Sequence, residues 1–210
     1  MKKLLLTSNG FGNPTIATQF LELLTKPLSQ VKIIFIPTAA RTKEELKYVD
    51  QSKQELYCLG INPKNLMILN INHHFTYNDF KSYDVMYICG GNTFYLLTQI
   101  KKYHFDKTIK QFLNEGKLYV GVSAGSIIVG PSIEIVVPFY ENDSYITNFD
   151  GLNIIDKVLS PHYTTQEETL IKKYRTKFKI LPLKDNQALL IIGNKEKIIK
   201  KYLIKFPQPF

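Results

Sequence analysis

The sequence predicts an α/β fold in which helices cover both faces of a mostly parallel central sheet, giving three layers. Short apolar, β-branched runs alternate with segments of helical periodicity as far as Gly130, and this alternation is typical of such a sheet. The 210 residues, 44% hydrophobic and 21% charged, suffice for one substantial core. We therefore expect one domain covering residues 1–210.

Five predicted strands form the parallel part of the sheet, at residues 4–7, 31–37, 66–71, 84–89 and 117–122. After Gly130 the pattern changes to shorter strands, at residues 133–137, 179–183 and 188–192. One predicted helix begins at Pro14, a second spans residues 43–59, and a third lies at about residues 165–176. The first two carry apolar side chains along one face, as expected of helices packed on a sheet.

The chain carries a formal charge of +9, from 27 basic and 18 acidic residues. A basic surface can bind nucleic acid, a membrane or acidic ligands. Here the lysines are dispersed, and the densest run, residues 195–205, alternates with apolar residues like a solvated edge strand. This pattern disfavours nucleic-acid binding, which is the weakest of three functional hypotheses.

The apolar run at the start of the sequence ends at Thr7, too early for a signal peptide and typical of a first strand. No later run is long enough to span a bilayer. Cys58 and Cys89 indicate neither a disulfide framework nor a metal site. We therefore expect a cytoplasmic protein that binds no membrane and requires no metal or cofactor. The oligomeric state is not decided by the sequence, which is compatible with a homodimer.

The most informative segment is residues 117–130, where an apolar strand runs into Gly-x-Ser-x-Gly and then into a small-residue helix. In such a nucleophile elbow a strained turn lifts the serine hydroxyl, here that of Ser123, clear of the sheet. Gly121 and Gly125 would leave room for the neighbouring strand and helix, and the helix N-terminus would favour developing negative charge. A tight turn with a capping serine is the alternative interpretation of the bare pattern.

A second turn, Cys89-Gly90-Gly91-Asn92-Thr93, ends another predicted strand and begins another helix. Parallel strands would bring this turn and the elbow to the same edge of the sheet. There the main-chain N–H groups of Gly91 and Ala124 are candidates for an oxyanion hole. A phosphate-binding turn is the alternative, but the glycine motifs of nucleotide-binding folds are missing from the sequence.

A serine nucleophile needs a base that accepts its proton, and His162 is the best candidate. It lies on a connection between an apolar run and a helix, whereas His73 and His74 lie in a polar loop and His104 at a basic helix end. A structural role is the alternative for a single histidine.

The third member of a triad would be a carboxylate that orients the imidazole. The candidates are Asp150, Asp156 and Asp185. An α/β-hydrolase order would favour Asp150, but that fold usually has more strands after the serine. Asp185 lies on a turn between two apolar runs, which suits a catalytic carboxylate, although an ordinary hairpin aspartate would give the same pattern.

Residues 90–97, 121–126 and 160–164 together resemble the dipeptidase E group of serine peptidases, family S51, which also includes the cyanophycinases. The resemblance extends from the first strand to the turn at Asp185. It implies a class I glutamine amidotransferase-like, flavodoxin-like fold. In that family the elbow carries serine where the amidotransferases carry cysteine, so Ser123 implies peptidase rather than glutaminase chemistry.

The resemblance assigns roles by position. It implies that Ser123 is the nucleophile and His162 the general base and acid, with Asp185 as the preferred acid of the triad. The main chain of Gly91 and Ala124 would form the oxyanion hole. The implied substrate-binding residues are Gly90, Asn92 and Thr164.

The best-known family members cleave dipeptides with N-terminal aspartate and hold its carboxylate with a basic side chain after the histidine. Here Leu170 occupies the corresponding stretch, and the cations that could substitute for the missing one are Lys172, Lys173 and Arg175. Aspartyl specificity therefore does not follow from the sequence.

We predict a serine peptidase that hydrolyses short peptides through an acyl-enzyme. The alternative is a catalytically silent ligand-binding or regulatory module on the same fold, in which the glycine turn and the elbow only hold an anion.

Overall fold

The computed structural model describes residues 1–200 and confirms the predicted fold class. The strands are β1 Lys3–Thr7, β2 Ile33–Ile36, β3 Leu66–Ile68, β4 Val85–Ile88, β5 Leu118–Val122, β6 Val158–Ser160, β7 Ile180–Pro182, β8 Ala188–Ile192 and β9 Lys195–Ile199. The α-helices are α1 Pro14–Leu23, α2 Lys43–Cys58, α3 Thr93–Lys102, α4 Phe105–Asn114, α5 Ala124–Ile127 and α6 Glu168–Tyr174.

The central sheet has seven strands in the order β3-β2-β4-β5-β1-β8-β9. The first five strands of this order are parallel to one another, and β8 and β9 complete the sheet in antiparallel pairs. The turns after β4 and β5 therefore lie side by side at one edge. Among residues 1–200, β9 lies at the edge of the sheet, as predicted for residues 195–199, whereas residues 201–205 of that prediction lie outside the described part of the chain.

Alternate residues of the central strands face two separate hydrophobic cores, which is why these strands are apolar throughout. Leu4 and Leu6 of β1 pack in the core on the side of α3 and α4, whereas Leu5 packs in the core on the side of α1 and α2. The three predicted layers are thus helices, sheet and helices. None of the helices in residues 1–200 combines the length and apolarity needed to cross a membrane.

The region after α5 departs from the prediction. Residues 133–137, predicted as a strand, form a 3-10 turn at Glu134–Val136. Ile133 and Val136, three positions apart, are both buried, and a short apolar run does not by itself distinguish one helical turn from a strand. β6 and β7 pair in a separate two-stranded sheet, and α4 is an additional helix that the sequence pattern did not indicate.

The two glycines of the elbow are required by close backbone packing. A Cβ atom on Gly125 would lie 2.3 Å from the carbonyl oxygen of Ile88, and one on Gly121 would lie 2.5 Å from the carbonyl oxygen of Gly125. Both distances are well inside van der Waals contact, and the clashing atoms belong to the backbone. Glycine therefore allows β4, β5 and α5 to approach one another at this edge.

We expect Gly125→Ala to lower the free energy of unfolding by roughly 1–3 kcal/mol, because the backbone at Ile88 must move to admit the methyl group. Gly12→Ala is the matched control, since nothing lies within 4 Å of its added Cβ, and we expect a change within about 0.5 kcal/mol. Urea unfolding of both variants measures the difference. Equal stability of the two would contradict the packing constraint.

Candidate active site

Ser123 lies directly after β5 in a strained backbone conformation, with φ 48° and ψ −108°. Non-glycine residues seldom adopt positive φ, and where they do the surrounding structure must hold them there. Its N–H donates to the carbonyl oxygen of Thr7 at 3.1 Å. This turn has the geometry of a nucleophile elbow, which presents the hydroxyl at the edge of the sheet.

Three side chains that are far apart in the sequence form a chain of hydrogen bonds. Ser123 Oγ lies 3.0 Å from His162 Nε2, and His162 Nδ1 lies 2.6 Å from Asp185 Oδ1. With its proton on Nδ1, the imidazole donates to the carboxylate and accepts from the hydroxyl. This arrangement can remove a proton from Ser123 and stabilise the imidazolium that results.

The two-stranded sheet positions the histidine and the aspartate. β6 and β7 are parallel, and Ser160 at the end of β6 is paired with Pro182 at the end of β7. His162 and Asp185 follow these strand ends by a few residues, so both side chains lie at the same end of the two-stranded sheet. His162 has a positive φ of 59°, which is a second strained position in the site.

Ser8 is a buried member of this site that no motif singles out in the sequence. Its hydroxyl accepts the backbone N–H of His162 at 2.8 Å and donates to Asp185 Oδ1 at 3.4 Å. Ser8 is fully buried directly after β1. It therefore ties the loop that carries His162 to the central sheet.

The glycine turn after β4 lies beside the serine. Gly90 packs against Ser123, since a Cβ on this glycine would lie 3.2 Å from Ser123 Cβ. Gly91 has a φ of 131°, and its own Cβ would lie 2.4 Å from the Ala39 carbonyl group. Within residues 1–200, the N–H groups of Gly91 and Ala124 donate no hydrogen bond. They are therefore free to bind an oxygen atom of a ligand.

The other two predicted substrate-binding residues, Asn92 and Thr164, cap helical turns and do not line the cavity that contains Ser123. The side chain of Asn92 accepts the Tyr95 N–H at 3.0 Å and so caps α3. Thr164 forms a capping box with Glu167 at the turn that precedes α6.

The helix that follows Ser123, α5, is only four residues long. Individual N–H groups rather than a long helix dipole would therefore stabilise negative charge next to Ser123.

The remaining candidates for the base and the acid lie elsewhere. His73, His74 and His104 are exposed on the surface. Asp156 forms an ion pair with Lys179, and Asp150 is an exposed residue whose backbone bridges to Ser132. Asp185 is thus the one of the three candidate aspartates that contacts His162.

A cavity of about 380 Å³ opens next to Ser123, His162 and Asp185. One wall is a face of α2, where Glu45, Ser52 and Glu55 recur at helical spacing. We call this space the acidic cavity. Both glutamates are held in place, because Glu45 accepts the N–H groups of Arg41 and Thr42, and Glu55 accepts the N–H of Phe11.

Two other titratable groups of the acidic cavity are held in their neutral forms. Burial raises the pKa of the Cys89 thiol well above its ordinary value. Partial burial, with a further contribution from Glu45, raises the pKa of the Tyr140 hydroxyl. Near neutral pH, Cys89 therefore remains a protonated thiol and does not compete with Ser123 as a nucleophile.

The cations considered for carboxylate binding lie away from the acidic cavity. Leu170 packs against the hydrophobic core, Arg175 pairs with Glu168, and Lys172 and Lys173 are exposed. Among residues 1–200, no Lys or Arg lines the acidic cavity. A carboxylate on a substrate would therefore find no Lys or Arg partner in the described wall.

Comparison with known proteins relates this chain to peptidases. The model of peptidase family S51 matches residues 4–199. An uncharacterized peptidase of Listeria monocytogenes is 32% identical over 208 residues, which cover 96% of this chain and 99% of that protein. A peptidase E of Shewanella denitrificans is 32% identical over 169 residues, which cover 78% of this chain and 68% of that protein.

Two solved structures that are similar to this chain are also of peptidases. The crystal structure of a proposed peptidase E from Listeria monocytogenes has a TM-score of 0.80 and 31% identity, covering 95% of this chain and 98% of that chain. The structure of a peptidase from an acI-B1 Actinobacterium has a TM-score of 0.69 at 16% identity, covering 95% and 88%, and shows a likeness of fold.

We expect Ser8→Ala to lower the free energy of unfolding by about 1–1.5 kcal/mol, because the partly buried N–H of His162 loses its acceptor. Ser29→Ala, at an exposed serine, is the matched control and should leave the free energy of unfolding within about 0.5 kcal/mol of the parent value. Urea unfolding of both variants is the measurement. If Ser8→Ala were as stable as the control, the anchoring role of this hydroxyl would be wrong.

Proposed function

The chain belongs to peptidase family S51, and from this premise we propose that it hydrolyses short peptides by acyl transfer through Ser123, His162 and Asp185. The observation that carries the proposal is the distance of 3.0 Å between Ser123 Oγ and His162 Nε2. A hydroxyl is a weak nucleophile until an adjacent base takes its proton, and this distance is within reach of direct proton transfer.

The first half of the reaction acylates the serine. Ser123 Oγ bonds to the carbonyl carbon of the substrate while its proton passes to His162 Nε2. The tetrahedral intermediate then collapses, the C–N bond breaks, and the same proton moves from His162 to the departing amine. The acyl group remains on Ser123 as an ester.

The second half releases the acid. A water molecule gives a proton to His162 Nε2 as its oxygen bonds to the ester carbonyl carbon. The new intermediate expels Ser123 Oγ, which recovers the proton from the imidazole. The products are an amine and a carboxylic acid, and the enzyme returns to its starting state.

In both halves the carbonyl oxygen becomes an oxyanion, and we assign its stabilisation to the N–H groups of Gly91 and Ala124. Both groups lack another acceptor in residues 1–200, which supports this role. One oxyanion-hole donor contributes on the order of 10²–10³-fold to kcat.

Asp185 would orient His162 and stabilise its protonated form, because its Oδ1 accepts the Nδ1 proton at 2.6 Å. The aspartate side chain is 63% exposed, so water screens its charge. Its electrostatic contribution should therefore be smaller than that of a fully buried triad aspartate.

We expect a fluorophosphonate probe to label the wild-type chain on Ser123, because the activated hydroxyl attacks phosphorus as it attacks a carbonyl. Ser123→Ala should lose both the label and the hydrolysis of dipeptides. Ser126→Ala is a control for serine chemistry on the same turn, since its hydroxyl donates to the Thr7 carbonyl oxygen and does not contact His162. Intact-mass spectrometry measures the label.

Two outcomes would overturn the proposal: a wild-type chain that resists labelling, or a Ser123→Ala variant that still cleaves peptides. A folded, unlabelled and inactive wild-type chain would favour the catalytically silent binding module instead.

We expect Asp185→Asn to lower kcat/KM by roughly 10²-fold, less than the approximately 10⁴-fold loss for a buried triad aspartate, because Asp185 is largely solvated. Asp150→Asn is the matched control, since Asp150 is exposed and does not contact His162, and it should change kcat/KM by less than about twofold. Steady-state kinetics on one dipeptide suffices. A larger loss in the control than in Asp185→Asn would exclude Asp185 as the orienting acid.

A further inference from the structure

A second, smaller cavity of about 100 Å³ also has the candidate nucleophile in its wall. Ser123 and His162 belong to the walls of both cavities. The walls of this second cavity are otherwise mostly hydrophobic, formed by Ile127, Ile135, Val136, Phe139, Tyr140 and Pro161. We call it the apolar cavity.

The apolar cavity has the size and chemistry of a side-chain pocket. An apolar cavity of about 150 Å³ accommodates benzene, so a space about two thirds as large fits a branched aliphatic group. Ile127, Ile135 and Val136 are almost fully buried and form a fixed floor. Phe139, also in the wall, is 47% exposed and presents part of its apolar ring at the cavity.

The charges around Ser123 disfavour an acidic side chain. No Lys or Arg lines either cavity in the described residues 1–200. The charged residue at the rim of the apolar cavity is Glu167, and the acidic cavity contributes Glu45 and Glu55. An aspartate side chain placed here would meet like charges, with no Lys or Arg in the described walls of either cavity to pair with it.

We infer that the substrate residue that acylates Ser123 carries a branched aliphatic side chain, and that the apolar cavity binds this side chain. The inference rests on the proposed acyl transfer at Ser123. The acyl residue is the one bonded to Ser123, so its substituents lie beside both cavities, whose walls share Ser123 and His162. In a dipeptide this residue also carries the free ammonium group, which the carboxylates of the acidic cavity would attract.

The test compares kcat/KM for Leu-Ala, Asp-Ala and Ala-Leu. An apolar pocket discriminates by at least about tenfold for each methylene that it buries. We therefore expect Leu-Ala to exceed Asp-Ala and Ala-Leu by at least this factor. A preference for Asp-Ala would overturn the inference, and so would a preference for Ala-Leu, because that result would assign the pocket to the leaving residue.

Phe139→Lys tests the location of the pocket by adding a cation to its wall. We expect the ratio of kcat/KM for Leu-Ala to that for Asp-Ala to fall at least about tenfold. Tyr145→Lys is the matched control: Tyr145 is 88% exposed, lines neither cavity and undergoes the same change from aromatic to cationic. An unchanged ratio in Phe139→Lys, or an equal fall in the control, would overturn the assignment of the apolar cavity.

Fluorophosphonate labelling separates this inference from the proposed function. If Ser123 is labelled but the enzyme prefers Asp-Ala, acyl transfer stands and the aliphatic specificity is wrong. If Ser123 is not labelled, both the acyl transfer and the specificity that depends on it are wrong.

Discussion

The end of strand β1 holds together the two parts of the chain that carry the candidate nucleophile and its base. The Thr7 carbonyl oxygen accepts the Ser123 N–H at 3.1 Å, and the Ser8 hydroxyl accepts the His162 N–H at 2.8 Å. Both residues are fully buried, where hydrogen bonds meet little competition from water. The contact of 3.0 Å between side chains 39 positions apart depends on this anchor.

The same anchor explains how the site tolerates strained backbone. Ser123 and His162 both adopt positive φ, and each has its N–H bound by one of two consecutive residues of the sheet edge. Such conformations persist only when surrounding contacts hold them. Here the rigid central sheet supplies those contacts, and the hydroxyl and the imidazole face each other as a result.

The charge around Ser123 differs in sign from the charge of the whole chain. The protein carries a formal charge of +9, yet within the described residues the Asp, Glu, Lys and Arg side chains that line the two cavities are all acidic: Glu45, Glu55, Glu167 and Asp185. Dispersed lysines set the long-range field, whereas a bound ligand interacts mainly with groups a few ångströms away. Net charge is therefore a poor guide to the substrate of this protein.

The sequence by itself determined the layered α/β fold and the elbow at Ser123, because strand and helix periodicity and the Gly-x-Ser-x-Gly spacing are local patterns. It also indicated His162, through its position after an apolar run. The tertiary structure decided the rest: the contact of Asp185 with His162, the buried anchor at Ser8, and the 3-10 turn at Glu134–Val136. These features arise from the pairing of β6 with β7 and from packing between distant segments, and no local pattern in the chain encodes such contacts.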